Sequence, residues 1–192
     1  MAPQVATTPP QLESLQRILL AAQYAAEKHA QQRRKGVTAE PYVNHLLEVA
    51  RLVSEALTEP DENLVMAALL HDVVEDTGVT RVDLAAAFNE DVASLVMEVT
   101  DDKSLPKHER KRLQVEHAPH KTVRAQMIKV ADKISNLRAM LVSPPEGWDQ
   151  ERRKEYVMWA ERVVSGLTAP SPHLLTQFRA LYSELVASFA ED

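Results

Sequence analysis

The stretch that decides the fold of this chain is NLVMAALLHDVVEDT, residues 63–77. From Leu64 onward its apolar residues recur at helical spacing, on the same face as His71. The pattern predicts a helix over residues 61–74 whose apolar face carries a histidine. Asp72 follows directly, and two further acids come one turn later. Burying so much polarity is costly unless something compensates it, and a divalent cation would do so.

The spacing of prolines and glycines in the rest of the chain also indicates a helical protein. Eleven prolines and only four glycines divide it into segments of roughly 10 to 20 residues, which is helix length. We therefore predict an all-α fold, a single domain of about eight to ten helices. Residues 1–10 are interpreted as a disordered tail and residues 11–192 as the domain. Predicted helices span residues 11–32, 42–57, 61–74, 80–88, 91–100, 106–117, 121–141, 147–166 and 171–190.

Composition excludes several functional classes. The 192 residues carry a net charge of -6, whereas proteins that bind nucleic-acid polymers usually have a basic excess. There is no run of about 18 apolar residues, which argues against a membrane span. The chain has no cysteine, so a metal site would have to use His, Asp and Glu. We expect a cytoplasmic protein that acts on a small phosphorylated ligand.

Two other segments supply candidate metal ligands. His45 ends PYVNH, residues 41–45, at the start of the second predicted helix. Asp132 lies within KVADKISN, residues 129–136, an otherwise largely apolar stretch, and Asn136 follows one helical turn later. Each residue alone has a simpler interpretation. A histidine on an apolar face is usually a core residue, and Asp132 could be a surface carboxylate paired with a neighbouring lysine.

Taken together, the four residues His45, His71, Asp72 and Asp132 resemble the metal site of the HD superfamily, the all-helical metal-dependent phosphohydrolases. The resemblance implies an HD-type domain in which these side chains bind one metal ion, Mn²⁺. Water and a substrate phosphate oxygen would take the open positions. Such an ion polarises the scissile phosphate and acidifies water.

A closer resemblance extends over residues 12–185. The motifs that carry it fall in order along the chain: RRK 33–35, PYVNH 41–45, AALLHDVVEDT 67–77, EVTDDKSLPK 98–107, KVADKISNLR 129–138, PEGW 145–148 and RRKEY 152–156. They are similar to the hydrolase half of the Rel/Spo alarmone enzymes and, in the later segments, to the stand-alone small alarmone hydrolases. A chain of this length has no room for the family's synthetase domain, so we expect a hydrolase only. Leu46 replaces a usual proline, and the loop 36–40 is less typical.

The resemblance also implies roles for other side chains. Glu75 and Asp76 match the catalytic acidic pair that activates water. Near the end of the predicted helix the dipole disfavours such acids, which supports a functional role. Expected substrate contacts are Arg34, Lys35, Lys103, Lys107, Arg110, Asn136 and Tyr156. Lys111 and Arg112 are expected to be solvated, and Trp148 and Trp159 to lie in the core or an interface and not to contact the ligand. No motif supports a site role for the remaining histidines, His29, His108, His117, His120 and His173.

The implied reaction removes the 3′-pyrophosphate from the guanosine alarmones (p)ppGpp, giving GDP or GTP plus pyrophosphate. Three alternatives stay open. The same fold could act on (p)ppApp or on the 2′-phosphate of NADPH, or the chain could be a nucleotide sensor without turnover. A dNTP triphosphohydrolase or cyclic-nucleotide phosphodiesterase shares the four ligands but does not account for residues 34–35 or 100–103. Homo-oligomer formation is left open.

Overall fold

The computed structural model describes residues 10–191, and the predicted tail lies outside them except for Pro10, where the first helix begins. The predicted all-α class is confirmed, because the described residues contain no named strand. Within residues 10–191 the α-helices are α1 Pro10–Lys28, α2 Val43–Glu55, α3 Glu62–Leu70, α4 Val73–Thr77, α5 Arg81–Ala87, α6 Glu90–Val99, α7 Lys107–His117, α8 Val123–Val142, α9 Gln150–Ser165 and α10 Pro172–Glu191. A 3₁₀ turn, Ala118–His120, joins α7 to α8.

Helix α8 is the central element and carries the polar stripe that forms one wall of the site. It packs against α2, α6, α9 and α10, and apolar residues such as Ile134 are fully buried there. Lys129, Asp132, Lys133 and Asn136 recur at spacings of three and four, so they share one face of the helix. Lys129, Asp132 and Asn136 on that face line a cleft, whereas Lys133 is buried with its ammonium 4.6 Å from the centre of the Trp159 ring.

The predicted helix 61–74 is wrong in one respect, because a turn at His71 and Asp72 divides it into α3 and α4. Asp72 has φ -102° and ψ -3°, and α4 starts anew at Val73. Glu75 and Asp76 therefore lie within α4, a helix of only five residues in which the first and last turns overlap. The helix dipole does not decide their role in so short a helix, so that role has to rest on their contacts.

Helix α1 ends at Lys28 instead of residue 32, and a loop over residues 29–41 replaces its predicted last turn. The backbone N–H of Arg34 donates to Glu40 and closes this loop on itself. Gly36 then contacts the loop after α8. A Cβ atom at Gly36 would lie 2.4 Å from the Ser143 carbonyl oxygen, so only glycine fits there. None of the helices among residues 10–191 combines the length and apolarity that crossing a membrane requires.

Candidate active site

A cleft of about 520 Å³ opens between α8, the turn that divides α3 from α4, the loop after α1, and the beginning of α7. All the predicted site residues line it except His45, which lies buried behind it. A larger groove, of about 780 Å³, lies between α7 and α9 on the other side of Trp159. It contains none of the predicted metal ligands or catalytic acids, so the smaller cleft is the candidate active site.

The four predicted metal ligands converge at the floor of the cleft. Atoms of His45, His71 and Asp72 that could bind a metal lie within 4.8 Å of one another. The Nε2 atom of His71 is 3.1 Å from Asp72 Oδ2. The Nε2 atom of His45 is 3.4 Å from Asp132 Oδ1, which brings the fourth predicted ligand to the same point.

Hydrogen bonds fix the orientation of both imidazole rings. The Nδ1–H of His71 donates to the Ala68 carbonyl at 2.8 Å, which leaves the lone pair on Nε2. That Nε2 atom is buried and has no hydrogen-bond partner among the described residues. His45 donates through Nδ1 to Ser135 Oγ at 2.8 Å, and Ser135 donates to Glu48 at 2.6 Å. Two imidazole lone pairs and two carboxylates therefore face one point, and such a donor set fits a divalent cation.

The charges of the cluster favour a cation at that point. Burial alone would lower the pKa of His71, but the carboxylates of Asp72 and Asp132 raise it to about 9, and a metal ion bound at Nε2 would take the place of that proton. Burial opposes ionisation of Asp72, yet His71 and His45 hold its pKa well below the usual range. Lys133 Nζ lies 2.9 Å from Asp132 Oδ2. The lysine pairing of the alternative interpretation thus exists, but both side chains are largely buried and do not lie on an open surface.

Glu75 and Asp76 lie beside this cluster, each with a cation nearby. Lys103 donates to Asp76 Oδ1, and Arg110 Nη1 is 3.7 Å from Glu75 Oε1. Burial, followed by the charges of Asp72 and Asp101, raises the pKa of Glu75. A carboxylate whose pKa is raised binds a proton more tightly, which suits a general base near neutral pH.

The other predicted substrate contacts line the rim and walls. Arg34 donates to Asn136 Oδ1 at 3.1 Å, and Asn136 donates to Asp132 Oδ1 at 2.6 Å. Lys35 is exposed at the rim, and Lys107 Nζ lies 5.6 Å from the centre of the Trp148 ring. These side chains surround the cleft with positive charge, so its opening is suited to phosphate groups.

An aromatic wall, consisting of Trp148, Tyr156 and Trp159, was only partly predicted. Trp159 belongs to the buried core, as expected, and Trp148 packs against that core, but both tryptophans also line the cleft. Lys111 was wrongly predicted to be solvated, because its ammonium lies 4.8 Å from the Trp159 ring centre and it lines the cleft. Arg112 is exposed on the outer side of α7, as predicted.

Two residues that contact the acids of the site were not assigned a role from sequence. Tyr42 donates its hydroxyl proton to Asp72 Oδ2 at 2.6 Å. Gln32 donates from Nε2 to Asp76 Oδ2 at 2.7 Å. Tyr42 belongs to the PYVNH motif, so its position was a usable signal, but Gln32 is a polar loop residue without any distinguishing pattern.

The comparisons with known proteins all point to HD-domain hydrolases. The HD domain family matches residues 21–162. The guanosine-3′,5′-bis(diphosphate) 3′-pyrophosphohydrolase MESH1 of Drosophila melanogaster is 53% identical over 79% of this chain and 85% of its own length. The human protein of that name is 47% identical over 87% of this chain and 93% of its own length. A solved structure described as a metazoan ortholog of SpoT that hydrolyses ppGpp is 46% identical, with a TM-score of 0.85 over 93% of this chain and 98% of its own.

Proposed function

The chain belongs to the HD-domain family, and on that premise we propose that it is a (p)ppGpp 3′-pyrophosphohydrolase. It removes the 3′-pyrophosphate of guanosine alarmones, leaving GDP or GTP. The observation that carries the proposal is the cleft itself. Glu75 and Asp76 line this cleft together with His71 and Asp72 of the metal-type cluster and with several basic side chains, and this arrangement supports the proposal.

The enzyme is metal-dependent, and we propose Mn²⁺ as the ion. His45, His71, Asp72 and Asp132 would hold it. When bound, the ion polarises the scissile phosphate and makes water more acidic. Two nitrogen and two oxygen donors without a thiolate suit ions such as Mn²⁺.

The protein's own side chains activate the water and bind the nucleotide. Glu75 accepts the proton of the attacking water, and Asp76 orients that water, since both face the cleft. Lys103 pairs with Asp76, and Arg110 lies 3.7 Å from Glu75. Substrate phosphates would compete for the two cations and free the carboxylates for the water. Arg34, Lys35 and Lys107 would bind the remainder of the nucleotide, with Asn136 and Tyr156 along its side.

The function is tested by incubating the purified protein with ppGpp and Mn²⁺ and measuring pyrophosphate and GDP. We expect stoichiometric release of both, and no release would contradict the proposal. Matched reactions with ppApp and NADPH test the base and the phosphate position. We expect faster turnover of ppGpp, whereas a faster reaction with ppApp or NADPH would assign the cleft to that substrate.

A second prediction concerns the support of His45. Ser135→Ala removes the acceptor of the His45 Nδ1 proton and leaves Glu48 without its serine partner. We expect Mn²⁺ affinity to fall about 10- to 100-fold, because such supporting hydrogen bonds orient metal-binding imidazoles. Titration calorimetry with Mn²⁺ measures this. Ser94→Ala is the control, since Ser94 is exposed and outside the cleft, and equal affinities in the two variants would contradict the prediction.

We further propose that the enzyme acts on free nucleotides in the cytoplasm and not on nucleic-acid polymers. The net charge of -6 supports this, because the basic side chains of the cleft are local and not part of an overall basic surface. Formation of a homo-oligomer stays open.

A further inference from the structure

A chain of hydrogen bonds connects the buried His29 to the proposed catalytic acid Asp76. The His29 residue is 2% exposed, and its Nδ1 atom lies 2.6 Å from Gln32 Oε1. Gln32 Nε2 then donates to Asp76 Oδ2 at 2.7 Å. His29 does not line the cleft, so any effect on the reaction has to pass through Gln32 or another neighbour.

The direction of each hydrogen bond follows from the chemistry of the groups. An ionised carboxylate only accepts, so the Gln32 NH₂ group has to face Asp76 and its carbonyl oxygen has to face His29. That oxygen needs a donor, which places the imidazole proton on Nδ1. The His29 Nε2 atom is buried and has no hydrogen-bond partner within residues 10–191, so a proton there would be left unpaired. If His29 could not donate, Gln32 could rotate its carbonyl oxygen towards Asp76 and repel it.

His29 also supports the cleft by packing. Its ring stacks on Tyr42 with the two ring centres 5.1 Å apart and an angle of 24° between the planes. Tyr42 in turn donates to Asp72. Removing the whole side chain would therefore disturb two elements of the site, and a useful experiment has to separate the hydrogen bond from the stacking.

We propose that His29 and Gln32 are positioning residues that fix the Asp76 carboxylate for catalysis, with His29 selecting the orientation of the Gln32 amide. The inference rests on the proposed function. Asp76 Oδ1 is held by Lys103, which a substrate phosphate would draw away. The contact from Gln32 to Oδ2 is then the one among the described residues that keeps the carboxylate in place.

Two substitutions at His29 separate the alternatives. His29→Phe keeps an aromatic ring against Tyr42 but cannot donate, whereas His29→Asn can donate from Nδ2 at nearly the Nδ1 position but loses the ring. We expect kcat for ppGpp with Mn²⁺ to fall about 10- to 100-fold in the Phe variant and less than about threefold in the Asn variant, with KM nearly unchanged in both. A role in packing alone would give the opposite order.

A double-mutant cycle tests the link through Gln32. Gln32→Leu should lower kcat about as far as His29→Phe, and the double variant should fall no further, because both break the same chain. Additive losses would contradict the relay. The matched controls are His120→Phe and His120→Asn, because His120 is exposed and outside the cleft, and both should keep wild-type kcat. Melting temperatures show whether each variant is folded.

One readout does not depend on turnover. Nitrogen-15 NMR of the imidazole rings should show His29 protonated on Nδ1, with a resonance that moves in Gln32→Leu. A ring protonated on Nε2 would overturn the inference. If the wild-type protein releases no pyrophosphate, the proposed function fails. If the wild type is active and His29→Phe equals it, only the inference fails.

Discussion

Replacing Asp72 by alanine should reduce pyrophosphate release from ppGpp by more than about a thousandfold. A metal ion in such a site supplies several kcal/mol of transition-state stabilisation, and each 1.4 kcal/mol or so corresponds to about tenfold in rate. Asp72 is the carboxylate closest to the His71 nitrogen, and it also holds the Tyr42 hydroxyl. Its removal leaves the two imidazole lone pairs with one carboxylate opposite them, so the Mn²⁺ content should fall together with the activity.

The measurement combines initial rates with the metal content of the purified protein by mass spectrometry. Asp102→Ala is the matched control, since Asp102 is exposed and its carboxylate accepts a hydrogen bond from the backbone N–H of Ser104, outside the cleft. It should keep both activity and metal. An Asp72→Ala protein that turns over ppGpp at the wild-type rate would contradict both the metal site and the proposed function.

The helices could be predicted from the sequence because their signals are local. Apolar residues at helical spacing and the prolines between segments identified nearly every helix. The break at His71 and Asp72 could not be predicted, since no glycine or proline marks it and the apolar pattern continues through it. Two side-chain hydrogen bonds stabilise this break: His71 bonds the Ala68 carbonyl, and Asp72 accepts from the Tyr42 hydroxyl. The second of these joins residues 30 positions apart, which periodicity does not reveal.

For the candidate site, too, local motifs could be predicted from the sequence and contacts between distant residues could not. The four proposed metal ligands belong to ordered motifs, and the resemblance of those motifs to a known family was enough to group them. Lys111 and Trp159 lie 48 positions apart and meet because α7 packs beside α9, so neither had a local signal for a place in the cleft. Gln32 is similar, because its importance depends on the turn that brings Asp76 to it. What sequence patterns miss in this protein is contact between elements, not the elements themselves.

Glu75→Gln should lower kcat for ppGpp by about 10²- to 10⁴-fold, the usual contribution of a general base. The amide has nearly the same shape and still accepts from the Asp101 N–H, but it cannot take a proton from water. Because Glu75 is not one of the four proposed metal ligands, Mn²⁺ content and KM should stay close to wild type. This pattern distinguishes the variant from Asp72→Ala, in which metal and activity are lost together.

The direction in which kcat changes with pH provides a second test of Glu75 as the general base. Burial, together with Asp72 and Asp101, raises the pKa of Glu75, so the carboxyl group stays protonated to a higher pH than an exposed one. A protonated group cannot act as the base, and wild-type kcat should therefore rise with pH as Glu75 loses its proton. The Gln variant should lack this rise, whereas Glu116→Gln, an exposed acid on the outer side of α7, should keep it. A Glu75→Gln enzyme with the wild-type rate and pH profile would show that Glu75 is not the general base. Asp76 would then be the next carboxylate to test in that role.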